Sequence, residues 1–234
     1  MPSFPARRPR IPRLAAASAL ALAAVLAWDL GGLDLPLARL AGSPQGFPLQ
    51  HHWLLTRVLH DGARHLAWGL VAGLGLAAAW PIGPLRALPP RRRVQLAASA
   101  LLASAFVTAL KATSHTSCPW DLREFGGIAT HVSHWTGWGL ADGGAGRCFP
   151  AGHASTGFAF AGGYFALRDE LPALARRWLA CALGAGLVLG IVQQLRGAHF
   201  MSHTLWSGWL CWMAAWVTDP LFSARGGTPT GLTP

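Results

Sequence analysis

The residues best suited to chemistry in this chain are cations and imidazoles standing at the ends of apolar segments. Lys111 closes one such segment. The run Cys148-Phe149-Pro150-Ala151-Gly152-His153 opens another, where a polar loop gives way to apolar sequence. Arg196, Gly197, His199 and His203 open a third. A phosphate ester offers negative charge and several acceptor oxygens. Arginine grips two such oxygens in a fork, and lysine supplies a mobile point charge. Backbone N–H groups at a helix start add donors. One histidine can attack phosphorus as a nucleophile, while a second protonates the leaving oxygen and later activates water. Enough cations around the phosphate make a metal unnecessary. The pattern points to an enzyme acting on a phosphorylated, lipid-like substrate at a membrane.

The elements that must position these residues are apolar and long. Of 234 residues, 52% are hydrophobic and 12% charged, against about 25% charged in a soluble domain. Such a composition is that of a membrane protein. A net charge of +10 could suggest a nucleic-acid partner. The arginines instead cluster in short gaps between apolar segments, and no Cys-His finger or aromatic–basic pattern occurs, so nucleic acid is excluded. Apolar segments at residues 14–28, 65–80, 94–110, 152–167, 178–195 and 199–217 predict an all-α fold. The expectation is a polytopic membrane protein with six transmembrane helices in a compact bundle.

A basic arm at 1–13 precedes a single membrane domain at 14–218, with an outer loop at about 112–150 and a flexible, Gly/Pro/Thr-rich tail at 219–234. The first segment could be a cleaved signal peptide, but the later segments favour its retention as a helix. Residues 51–60 read as a short interfacial helix, and Gly69, Gly73 and Ala77 as a face for close helix packing. With six spans, the arginines of the arm, of the 86–93 gap and of the 168–177 gap share one side. The positive-inside rule makes that side cytoplasmic. Both termini are then cytoplasmic, and the chemistry-bearing residues face the periplasm of a bacterial inner membrane.

Over about residues 94–216 the chain resembles the type 2 phosphatidic acid phosphatase superfamily. Its three signatures are Lys-x6-Arg-Pro, Pro-Ser-Gly-His and Ser-Arg-x5-His-x3-Asp. Here Lys111 precedes Cys118-Pro119 at that spacing. Pro150-Ala151-Gly152-His153 follows, and then His199 with His203 four residues on. The departures are Cys118 for the first arginine, Ala151 for the serine, Val192-Gln193 for Ser-Arg, and His203 for the final aspartate. The resemblance implies a six-helix membrane core and hydrolysis of a lipid phosphate or pyrophosphate through a phosphohistidine on His199. His153 would be the general acid and then the base. Lys111, Arg196 and Gly152 would hold phosphate, and Arg123 or Arg147 could restore the missing charge. No cofactor and no metal are implied.

His203 could accept a hydrogen from His199 and fix its tautomer, with Asp121, Glu124 or Asp142 as the source of negative charge. Expected partners are phosphorylated membrane lipids: undecaprenyl pyrophosphate, phosphatidate, phosphatidylglycerophosphate or lipid A phosphate. The alternatives are a lipid phosphotransferase using the same site and a non-catalytic phospholipid-binding or transport protein. Several histidines, among them His115, His131 and His134, fall in or beside the outer loop, but none shows zinc spacing. Cys118 and Cys148 flank that loop. A disulfide is one reading in an oxidising compartment; a reduced pair of small packing residues is the other. Tryptophans such as Trp120, Trp135, Trp138, Trp206 and Trp209 are expected at the membrane interface, with Trp135 and Trp138 also able to border a headgroup.

Overall fold

The computed structural model describes residues 10–136 and 139–223. The first nine residues of the basic arm, Trp138 and the tail beyond residue 223 lie outside the described residues. The described chain is helical, with only isolated bridges at Ser43–Gly46 and Leu122–Ala129. α1 spans Arg10–Leu30 and α2 Asp34–Arg39. A π-helical stretch, Leu54–Gly62, runs directly into α3, Ala63–Ala79. α4 is Pro90–Thr113, α5 Gly152–Phe158 and α6 Gly163–Leu167. α7 is Pro172–Leu195 and α8 Met201–Phe222. Local sequence explains the long elements. α1 is mostly alanine and leucine, both strong helix formers. α4 and α7 each begin on proline, whose fixed φ and missing N–H suit a first helical turn.

The expectation of six transmembrane helices is not met. Among the described residues, three helices are long and apolar enough to cross a membrane: Pro12–Leu30 within α1, then α4 and α7. The segment at 65–80 becomes α3, which has only 17 residues. The segment at 152–167 breaks into α5, a 3-10 turn at Ala159–Gly162, and α6. Glycines at 157, 162 and 163 weaken a continuous helix there. The segment at 199–217 becomes α8, which is long but carries Ser202, His203, Thr204, Ser207 and Asp219. The side assignment that rested on six spans goes with it.

α8 packs against α1, α4 and α7, and α5 lies closely on α7. Small residues permit these contacts. A Cβ on Gly157 would collide with the backbone of Gly186, and one on Gly190 with Thr204. Gly69 and Gly73, expected at a close helix contact, face open space instead. Trp209 Nε1 donates to the Ser18 carbonyl at 3.2 Å and Trp212 Nε1 to Ser18 Oγ at 2.7 Å, stapling α8 to α1. Trp206 Nε1 donates to Asp29 Oδ2 at 2.8 Å, as does Trp135 Nε1 at 3.2 Å. Trp135, Trp206 and Trp209, expected at an interface, thus also hydrogen-bond to α1.

At one end of the bundle a buried polar network joins α4 to α8. Arg92 Nη1 donates to Asp219 Oδ1 at 2.5 Å and to Gln95 Oε1 at 2.7 Å. Arg168 Nη2 donates to Asp219 Oδ2 at 2.8 Å. At the other end the loop after α4 is folded down. A disulfide joins Cys118 to Cys148. Asp142 accepts Ser117 N at 2.6 Å and Ser117 Oγ at 2.7 Å. Phe47, Leu122, Phe125 and Phe200 form a small core beneath the loop.

Candidate active site

Lys111, His153, Arg196, His199 and His203 gather at the loop end, where α4 and α7 finish and α5 and α8 begin. α7 stops in a Schellman turn. Ala198 N donates to the Gln193 carbonyl at 2.9 Å and Gly197 N to Gln194 at 3.0 Å, with Gly197 at φ +74°. A Cβ on Gly197 would also strike the Phe47 ring, so glycine is needed twice over. The turn sets Arg196 against the bundle, 9% exposed, and buries His199 to 3%. Arg196 Nε donates to the Gln50 carbonyl at 3.0 Å, and Nη1 to Gln193 Oε1 at 3.0 Å. Gln193 is the residue standing where the resemblance would place an arginine, and it anchors the arginine one turn later.

His153 lies in the first turn of α5. The Lys111 side chain crosses that turn, since a Cβ built on Gly152 would lie 3.7 Å from Lys111 Nζ. The loop strand entering α5 is tied to α8 by Ala151 N donating to the His203 carbonyl at 3.2 Å and Ser207 Oγ donating to Ala151 O at 3.0 Å. Trp120 N donates to the Gly197 carbonyl at 2.9 Å, which fastens the loop beside Cys118 to the turn that carries His199.

His199 and His203 have ring centroids 5.8 Å apart. His199 Nδ1 is 3.4 Å from Cys148 Sγ. The three acidic residues expected nearby are engaged elsewhere: Asp142 on Ser117, Asp121 on Cys118 N at 3.3 Å, and Glu124 on Arg39 Nε at 2.5 Å. Cys148, His199 and His203 bring ligand-type atoms within 4.8 Å of one another. The sulfur is committed to a disulfide and offers no thiolate, so this trio is not a thiolate metal centre in its oxidised form.

Burial holds the His199 imidazole well below its ordinary range, and Lys111, His203 and His153 push it the same way; the Cys148 backbone opposes them. Burial also depresses His153, to about 3, with further pushes from His60, Lys111, Arg196 and Arg64. Both rings are neutral at neutral pH, as a nucleophile and a waiting base require. Arg123 is exposed and donates from Nε to the Ile128 carbonyl at 3.0 Å, while Arg147 is exposed at φ +56°. Neither lines the cavities that reach His153.

Sequence reasoning missed His60, Asp61 and Arg64. His60 stacks on His153 with ring centroids 3.5 Å apart. Arg64 and His153 line one groove of about 270 Å³ that runs between α3 and α4 past Trp68, Val71 and Leu101. A His-Asp pair just ahead of an apolar segment was the only signal, and nothing in its spacing ties it to residue 153. Asp29 was missed as well; its Oδ2 lies 3.3 Å from His134 Nε2, behind His203.

A sequence model of the PAP2 superfamily, the type 2 phosphatidic acid phosphatases, matches residues 93–226. That is more than half of the chain, and the chain belongs to this superfamily of hydrolases and phosphatases. No curated protein and no solved structure gives a match.

Proposed function

We propose that this member of the PAP2 superfamily is a membrane phosphatase that hydrolyses a lipid phosphate or pyrophosphate through a phosphohistidine. The observation that carries the reading is the gathering of Lys111, His153, Arg196 and the buried His199 at one end of the bundle, with His153 also lining a groove between α3 and α4. Lys111 and Arg196 bind the phosphate oxygens, with Arg64 at the groove mouth. The lipid chain lies along the groove between α3 and α4. His199 attacks phosphorus in line, so an N–P bond forms as the bond to the lipid oxygen breaks. His153, protonated once the phosphate dianion is beside it, gives its proton to the departing oxygen. It then takes a proton from water as that water attacks phosphorus, which releases phosphate and restores His199. Arg123 and Arg147 belong to the same proposal as outer-loop cations that meet the headgroup before it docks.

The disulfide supports placing the site on the oxidising, periplasmic face of a bacterial inner membrane. Undecaprenyl pyrophosphate, phosphatidate, phosphatidylglycerophosphate and lipid A phosphate are the substrates to compare. A phosphotransferase is the second reading. It is favoured by an open pocket of about 440 Å³ lined by His51, Trp53, Arg57, His60 and Arg196, where an acceptor other than water could approach. The test is phosphate release by purified protein in detergent from these lipids. Release that is lost in both His199→Ala and His153→Ala is expected. Release that persists in either variant, or no release from any lipid, rules the reading out.

A further inference from the structure

The PAP2 match begins at residue 93, yet the ring assigned to acid–base work is covered by a segment well upstream of it. His60 belongs to the π-helical stretch Leu54–Gly62, a geometry often found at functional sites. Its ring lies over that of His153 at a centroid distance of 3.5 Å and an interplanar angle of 26°. Its Nδ1 is 2.9 Å from Asp61 Oδ1. The face contact limits rotation of the His153 ring, while Asp61 limits rotation of His60.

Two imidazoles in face contact resist carrying charge together. His60 has the Asp61 carboxylate as partner, whereas the charges that face His153 are cations: Arg64 from α3, Lys111 from α4 and Arg196 after α7. The imidazoles beside it are His60 from the π-helical stretch and His199 before α8. Asp61 is the one carboxylate among these groups, and it is turned to His60.

We propose that His60, anchored by Asp61, is a positioning residue for His153: it fixes the plane of that ring and opposes its protonation until an anionic phosphate enters the groove. This rests on the acid–base role proposed for His153. The device keeps His153 unprotonated in the free protein and lets the substrate's own charge switch it to an acid.

The test uses full-length protein in detergent with isotopically labelled histidine. His60→Phe keeps a flat ring over His153 but removes the imidazole nitrogens and their bond to Asp61, whereas His60→Ala removes both. The His153 titration, read by NMR without substrate, is expected to move up by about one pH unit in His60→Phe. His60→Phe should keep kcat within about threefold of wild type, and His60→Ala should lose about tenfold or more. A His153 midpoint unmoved in His60→Phe, or a His60→Ala protein with wild-type kcat, overturns the proposal. The titration needs no turnover, so failure of the phosphatase reading would show separately, as absent phosphate release with the His153 shift intact.

Discussion

In the proposed mechanism the charge on His153 decides the order of events, and that charge also leaves a trace in stability. In the fold its imidazole is pushed down to about 3, chiefly by burial and then by His60 and the cations. In the unfolded chain a histidine takes its proton near pH ~6.5. Between these values the unfolded state binds a proton that the folded state does not, so stability falls as pH drops through that window. Thermal unfolding of the detergent-solubilised protein should therefore shift to lower temperature from pH 7 toward pH 5. His153→Phe should show a shallower slope, and an equal slope would mean the ring titrates normally in the fold. Lys111, His153, Arg196 and His199 were legible in the sequence because each stands at the end of an apolar run. His60, Asp61 and Arg64 were not, because their relation to His153 exists only after α3 has packed beside α4 and α5.

At the scale of elements, the loop between α4 and α5 is what brings the pieces of the site together. Its disulfide closes a sequence separation of 30 residues, and Cys148 Sγ lies 3.4 Å from His199 Nδ1. Replacing both cysteines by serine should cost about 3–4 kcal/mol of stability by loop entropy. It should also lower kcat more than it raises KM, because His199 loses the sulfur packed against it while Lys111 and Arg196 remain. A denaturation series with steady-state kinetics checks both, and unchanged kcat in a destabilised protein would separate the loop from catalysis. The helices themselves were largely legible, but their membrane role was over-read. Apolar composition cannot show that residues 152–167 would break at the glycines around α6, nor that the polar start of α8 would be buried inside the bundle. The packing of α5 on α7 through Gly157 and Gly186 was equally invisible, since it depends on two distant backbones touching.

The whole molecule has a chemical end and an anchoring end. α8 links them, with His203 in its first turn and Asp219 near its last. The step from His203 to Asp219 along α8 separates the two by about 24 Å at the usual helical rise. Asp219 holds Arg92 and Arg168 in a buried network, and removing one partner of such a network costs about 3–5 kcal/mol. Asp219→Asn should therefore lower thermal stability strongly. Below the unfolding transition it should leave KM and kcat within a few-fold of wild type; a large kinetic effect would mean the two ends are coupled.

The central claim is a phosphoryl group carried on His199. The measurement that tests it most directly is rapid mixing with a lipid phosphate, quenching in alkali, where phosphohistidine survives, and peptide mapping by mass spectrometry. The account predicts a phosphorylated His199 peptide that accumulates when His153 is replaced by asparagine and is absent from His199→Ala. Turnover with no labelled peptide, or label on another residue, would contradict it.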